Sequence, residues 1–360
     1  MIVGIIGSGQ LGWMMILEGK RLGHQFYVID KDNSGPASAI ADKFFSIDDY
    51  KNFVMQCDVV TYEFESVDET VVYYAHEHDK LKPSLNAIEL KWDRSKEMDF
   101  FKNNNLPIPE YYIADNLSDV KKYVKNFDKA VIKSAYGGYD GKGLIYYLND
   151  YDLNQLNLNS KYIVEEFIDY DAEASIIGSR SSNGEIVTHE PSFNFNKAGV
   201  LIYNYAPFDD YGMADILKKI MINLDYIGVL SVEFFIKNGK PIINEIAPRV
   251  HNSGHHTLHG SSISQFEQHI RCITDYPVKK PELYLPGGIV NVLGKSLDIE
   301  SIKEILNIDN TKLYWYGKKE IRKHRKLGHV NIASETVTAV KGHIDHIMNI
   351  IYKDKIEDYI

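Results

Sequence analysis

The chain has 360 residues, 44% of them hydrophobic and 25% charged, and a formal net charge of −10. At ~150 residues per domain this length predicts two or three domains of ordinary globular composition, which excludes collagen, coiled coil and disorder. The acidic balance disfavours a general nucleic-acid binder, because the phosphate backbone demands a cationic surface.

The opening segment, Met1 to Ile6, lacks a basic start and a long apolar stretch, so it reads as a first strand and not as a signal peptide. No apolar run approaches the ~18 residues of a membrane span. After the strand comes Gly7-Ser8-Gly9-Gln10-Leu11-Gly12 and a helical stretch to about Leu22, with Asp30 closing a second strand. The pattern fits a dinucleotide fingerprint, in which glycines let the backbone approach a pyrophosphate and an acid takes a ribose. It fits equally a glycine-rich turn needed only for close helix–strand packing. Strand and helix alternate to about residue 90, which means a parallel sheet; Glu63 and Glu65 lie just past the strand Asp58 to Tyr62. Cys57 and Cys272 are lone thiols with no CxxC pair. They exclude a disulfide scaffold and suggest a reducing compartment, so a soluble cytoplasmic enzyme is expected.

Asn103 to Pro109 is a connector by composition. Short strands at Ala130 to Lys133, Leu144 to Tyr147, Tyr162 to Glu166 and Ser175 to Gly178 then flank a second loop, Gly137-Gly138-Tyr139-Asp140-Gly141-Lys142-Gly143. Its glycines leave N–H groups to cradle phosphates, with Lys133 closing the preceding strand. A long hairpin tip explains the glycines but not that lysine. Helices are expected at Asp210 to Leu224, Ser262 to Ile273 and near Ile344 to Tyr352.

Glu233 and Glu245 flank a hairpin turn at Asn238-Gly239. A strict two-residue loop puts them on opposite faces; a three-residue loop ending in a bulge at Gly239 puts them on the same face and sorts apolar from polar. Two adjacent carboxylates need a cation, and hard oxygen ligands imply Mg²⁺. Histidines crowd at His251, His255, His256, His259 and His269, but the first of them follow Pro248 in a loop and no HExxH is present, so zinc is disfavoured. Lys318 to Lys326 is a basic run. Only seven of forty basic residues are Arg, among them Arg94, Arg249 and Arg325, and arginine suits forked contacts to carboxylate or phosphate.

These elements, in this order, resemble the ATP-grasp superfamily, and within it the N5-carboxyaminoimidazole ribonucleotide synthetases. The resemblance runs through Thr61-Tyr62-Glu63-Phe64-Glu65, Asp93-Arg94, Glu165-Glu166-Phe167, the segment Asn244 to His255, Ser264-Gln265-Phe266-Glu267-Gln268-His269 and Gly328-His329-Val330. It implies an ATP-grasp fold, α/β and α+β. A dinucleotide-fold-like parallel-sheet domain would span 1–92, a linker helix and small α+β lid domain 93–172, and a larger mixed domain 173–290. Residues 291–360 would form a C-terminal segment packed on the active site.

The resemblance also implies ATP-dependent carboxylation of 5-aminoimidazole ribonucleotide by bicarbonate through carboxyphosphate, with ATP and Mg²⁺ as cofactors and a homodimer as the assembly. Arg94 and Lys133 would hold ATP, and Gly138, Tyr139, Asp140, Gly141, Lys142, Gly143 and Leu144 would cover its phosphates. Glu165, Glu166, Phe167 and Ile168 would line adenine, Glu173 would bind ribose, and Asn196 stands where the family often has a histidine on ATP. Glu233 and Glu245 would hold Mg²⁺ beside Asn244. Gly9, Gln10, Leu11, Glu63, Tyr139, Lys142, Asn252 and Ser253 would bind the ribonucleotide, with Arg249, His251, Lys318 and Arg325 as catalytic groups. The chain departs from the family with Val250 in place of a proline and Lys323-His324 in place of a Pro-Gly pair. Other ATP-grasp ligases, including formate-dependent glycinamide ribonucleotide transformylase, are the nearest alternatives. An NAD-linked oxidoreductase and a non-catalytic nucleotide-binding module are the distant ones.

Overall fold

In the computed structural model, residues 1–137, 143–147, 153 and 156–360 are described. Four parallel strands come first: β1 (Ile2–Ile6), β2 (Gln25–Asp30), β3 (Lys43–Ser46) and β4 (Val59–Tyr62), in the order β3-β2-β1-β4. Their near-continuous apolar runs suit a sheet covered on both faces. Met14, Met15 and Ile16 of the helix Gln10–Lys20 pack on one face with Phe266 and Ile270 from a distant helix; Phe53, Val54, Val71 and Val72 pack on the other.

A small antiparallel sheet follows, of β5 (Tyr111–Ala114), β6 (Ala130–Ser134), β7 (Leu144–Tyr147) and β8 (Tyr162–Glu166), ordered β5-β8-β6-β7. The large sheet contains β9 (Ala172–Arg180), β10 (Ile186–Thr188), β11 (Ser192–Lys197), β12 (Val200–Ala206), β13 (Gly228–Lys237), β14 (Lys240–Ala247), β15 (Gly287–Leu293), β16 (Thr311–Trp315) and β17 (Lys326–Ala333). Their order is β14-β13-β9-β11-β12-β15-β17-β16, with β10 on β9. The strands β15, β16 and β17 therefore continue this sheet, and the positions 172/173 and 290/291 fall inside β9 and β15. No helix among the described residues is long and apolar enough to cross a membrane.

Helix ends follow their caps. Asp210 accepts the N–H of Ala214 at 3.0 Å, so the helix expected from Asp210 starts at Met213. The Ser264 hydroxyl accepts from Glu267 N–H at 3.1 Å, so the helix expected from Ser262 is Gln265–Ile273. The last helix begins earlier than its apolar stripe suggested, at Val337, because Thr336 caps it.

The β13–β14 hairpin corrects a further expectation. Lys237 pairs with Lys240, so the loop is the two-residue Asn238-Gly239, with φ of 51° and 70°. Those angles match a hairpin turn with both central residues left-handed. There is no bulge at Gly239. Phe234 pairs with Ile243, then the register shifts and Glu233 pairs with Glu245. The extra residue is Asn244. The carboxylates share a face as expected, through a bulge next to them and not at the turn. Ile243, at 1% exposure, thereby takes a core position opposite Phe234. The basic run Lys318 to Arg325 is a loop between β16 and β17, so strand alternation does not sort its side chains.

Candidate active site

At the end of β1 the chain turns through Gly7, with φ of +102°, into the helix Gln10–Lys20. The N–H groups at a helix start ordinarily receive an anion. Here Glu63, from just past β4, supplies it: its carboxylate accepts from Gly9 N–H and from Gly12 N–H, the latter at 2.7 Å. A Cβ on Gly9 would lie 2.6 Å from Glu63 Oε1, and one on Gly12 would lie 3.2 Å from Oε2. The glycines make room for a carboxylate, which occupies the seat a dinucleotide's pyrophosphate would need. Asp30 is likewise engaged, accepting from Ser8 N–H at 2.9 Å and from its hydroxyl at 2.5 Å. Burial pushes the Glu63 carboxyl above its ordinary range, against the two backbone donors that pull it down. Lys318 reaches across from the C-terminal loop and donates to Gln10 Oε1 at 2.7 Å.

Arg249 ties this region to the large sheet. Its Nε lies 2.9 Å from Glu65 Oε2, and its guanidinium sits over the Phe64 ring at 5.4 Å. Two residues on, His251 Nε2 is 3.7 Å from Glu233 Oε1. Its Nδ1 lies 2.9 Å from the Ser253 hydroxyl and accepts Ser253 N–H at 3.4 Å. Burial and then Arg249 drive the imidazole down to about 3, so it is neutral. Asn252 opens the short helical turn Asn252–Gly254, and Ser253 O accepts from Asn204 Nδ2 at 2.6 Å.

The carboxylate pair is asymmetric. Burial and the Glu245 charge raise Glu233. Burial also pushes Glu245 upward, but Lys91, Arg94 and Lys133 outweigh it and hold that carboxyl low. Lys91 Nζ is 3.5 Å from Glu245 Oε2 and 2.9 Å from Glu97 Oε1. Lys133, on β6, lies 2.8 Å from Glu165 Oε2 and 3.4 Å from Asn244 Oδ1. Arg94 N–H donates to Ala135 O at 2.9 Å, and its NH1 to Ser134 O at 2.9 Å. Glu173 accepts from Asn196 Nδ2 and from the Tyr170 hydroxyl, and Tyr170 stacks on Phe235 at 4.7 Å.

The structure thus links Lys133, Glu165, Asn244, Glu245, Glu233 and His251 in one chain of contacts, with Arg249 two residues before His251, and brings Gln10, Glu63 and Lys318 into a second cluster. Leu11 is 7% exposed, packed into the core beneath that cluster. Glu166 N–H and Phe167 N–H are taken by Glu110 O and Lys129 O at 2.9 and 3.1 Å, and Ile168 is buried. Gly143 O accepts from Ser134 N–H at 2.8 Å, and Leu144 opens β7. Gly138, Tyr139, Asp140, Gly141 and Lys142 lie outside the described residues. Arg325 pairs with the exposed Glu320. Lys91 was missed by the sequence reading: a lysine beside Trp92 in a short helix carries no pattern, and only the fold brings it to Glu245. Among the described residues no group of three or more His, Cys, Asp or Glu side chains forms a metal cluster. The two opposed carboxylates, Glu233 and Glu245, are the candidate for a hard cation, which takes oxygen ligands.

Comparison with known proteins gives one answer along the chain. Residues 1–91 match the ribonucleotide synthetase preATP-grasp domain, 99–266 the ATP-grasp domain, and 288–343 the phosphoribosylaminoimidazole carboxylase C-terminal domain. The chain is 43% identical over 360 residues to the N5-carboxyaminoimidazole ribonucleotide synthase of Saccharolobus solfataricus, covering 99% of this chain and 97% of that one. It is similar to the phosphoribosylaminoimidazole carboxylase ATPase subunit of Aquifex aeolicus, with a TM-score of 0.85, 39% identity and coverage of 98% and 100%. It is also similar to the N5-carboxyaminoimidazole synthetase of Staphylococcus aureus complexed with ADP, with a TM-score of 0.89, 28% identity and 96% of each chain covered.

Proposed function

The chain belongs to the N5-carboxyaminoimidazole ribonucleotide synthase family, ligases of ATP-grasp fold, and from that premise we propose how its own residues divide the work. The enzyme uses ATP to carboxylate 5-aminoimidazole ribonucleotide in purine biosynthesis. Bicarbonate is the carbon source in this reading. Its carbon is a poor electrophile, so a bicarbonate oxygen takes the γ-phosphoryl of ATP, giving ADP and carboxyphosphate. The exocyclic amine of the ribonucleotide then gains the carboxyl group and gives up a proton, as the carbon–oxygen bond to phosphate breaks and phosphate leaves.

Most of the protein's contribution to such a transfer is positioning and charge neutralisation. Lys133 and Arg94 face the ATP phosphates, and Glu173 with Asn196 faces the nucleoside. Glu233 and Glu245 fit Mg²⁺: two carboxylates opposed across a hairpin, one of them raised by its neighbour, are made compatible by a cation between them. When bound, Mg²⁺ neutralises charge on the ATP phosphates. Neutral His251 presents Nε2–H to an anion, because its Nδ1 is an acceptor for Ser253 N–H. Gln10 and Lys318 face the ribonucleotide phosphate near Glu63. The homodimer and Arg325 rest on the resemblance alone.

The observation that carries this division is the 3.7 Å approach of His251 to Glu233. It sets the carboxylate pair beside the segment that carries Arg249, so both substrates can meet there. The test is ADP release: it is expected to be stimulated by aminoimidazole ribonucleotide with bicarbonate present, and ATP hydrolysis indifferent to both would overturn the assignment. Within that assay, Lys318→Ala and Arg325→Ala are expected to lower ribonucleotide-dependent turnover by roughly two powers of ten or more. Lys319→Ala and Lys323→Ala, both at exposed positions, are expected to stay near wild type. Equal, mild effects across all four would remove the C-terminal loop from the active site.

A further inference from the structure

The helix Gln265–Ile273 carries a motif that the division of labour above leaves unused. Gln265 is fully buried, at 0% exposure. A buried carboxamide is costly unless its groups are bonded, and here the main chain of His251 bonds it on both sides. His251 N–H donates to Gln265 Oε1 at 2.8 Å, and Gln265 Nε2 donates to His251 O at 2.6 Å. The remaining Nε2 hydrogen points to His255 Nδ1 at 3.3 Å. The backbone polarity of His251 dictates which end of the amide is which. The pairing copies two rungs of a β-ladder with a side chain in place of a strand.

The surroundings are shaped for this contact. Gly254 lies against the amide, where a Cβ would sit 2.6 Å from Gln265 Cδ. Gln265 N–H is itself held by the Thr257 hydroxyl at 3.0 Å. Val250 and His251 lie just past the end of β14, where no ladder partner continues. Gly254 N–H also reaches His251 O, at 3.1 Å, and Arg249 NH1 holds Val250 O at 3.0 Å, but among the described contacts it is the amide that takes the His251 N–H and so fixes the main chain from which the ring reaches Glu233.

We propose that Gln265 is a positioning residue of the reaction, clamping the His251 main chain so that the imidazole meets the reacting groups beside Glu233. The proposal rests on the reading of His251 as an active-site group. It predicts a loss in kcat with the KM for ATP unchanged, because the proposed ATP contacts, Arg94, Lys133, Glu173 and Asn196, lie outside the loop that the amide holds.

A double-mutant cycle tests it, with initial rates of ribonucleotide-dependent ADP release. Gln265→Met, which keeps the length and removes the bonds, is expected to lower kcat about 10–100-fold, the usual cost of misplacing a group by an ångström or so. In the His251→Ala background the same change is expected to lower kcat by less than about twofold, since the object of the clamp is gone. An equal fall in both backgrounds would mean a merely structural role and overturn the proposal; so would Gln265→Met at the wild-type rate. Should Gln265→Met fail to fold, Gln265→Glu carries the same cycle: it keeps Oε1 for His251 N–H but sets an oxygen against His251 O. His251→Ala at the wild-type rate would overturn the active-site reading of His251, a result distinct from a clamp that fails while His251 matters.

Discussion

Two carboxylate sites of the same protein are solved differently. Glu63 is held by its own chain: two backbone N–H groups at a helix start receive it, and three glycines clear its way. Glu233 and Glu245 are set against each other across a hairpin, and among the described contacts a lysine reaches only the second. The first arrangement is complete as it stands and organises structure. The second needs positive charge to be complete, as a nucleotide–metal site does. A glycine-rich loop with a nearby acid is thus no evidence of a bound nucleotide until the partner of its N–H groups is known.

The contrast can be broken most forcefully at Lys91. Lys91→Met leaves Glu97, 3% exposed, without its cation, and breaking a buried pair from one side typically costs ~3–5 kcal/mol. Urea unfolding should record that loss, and a variant as stable as wild type would show that Lys91 is not the counter-charge of this site. Next is Glu245→Gln, expected to lower turnover by roughly 10²-fold or more while the melting temperature stays near wild type. Wild-type turnover there would remove the metal assignment.

On the other side, Gly9→Ala drives a methyl group into Glu63. It is expected to destabilise the fold by about 1–3 kcal/mol, the usual cost of overpacking. An unchanged unfolding midpoint would mean that the Glu63 seat is looser than described.

The smallest effect concerns pH. Burial raises the Glu63 carboxyl in the folded state. Its contribution to stability is therefore fully present below its unfolded value of about 4.5 and is lost as pH rises through the raised folded value. The slope is at most ~1.4 kcal/mol per pH unit. Glu63→Gln should flatten the stability–pH curve from about pH 4.5 upward, measured by denaturation at a series of pH values; an identical curve would assign that slope elsewhere.

Much of this was legible from the residues alone. Strand and helix alternation before residue 90, the carboxylate pair and the proline–histidine–asparagine segment are local patterns, because side-chain period and turn chemistry act over a few residues. Even the shared face of Glu233 and Glu245 could be inferred from hydrophobic sorting, although its device could not. Burying Ile243 with Phe234, while still opposing the two glutamates, needs one extra residue. Asn244 is that residue because the core and the cleft lie on opposite faces of the hairpin.

What tertiary structure alone decided were the long-range partners. Glu63 meets Gly9 and Gly12 across a parallel crossover, Lys91 meets Glu245 across a domain junction, and Gln265 meets His251 across a loop. Sequence pattern determines which face of an element is buried. It does not determine which polar group from elsewhere will satisfy a donor that the burial leaves behind. That choice is made when the chain folds, because an unpaired buried polar group is too costly to keep.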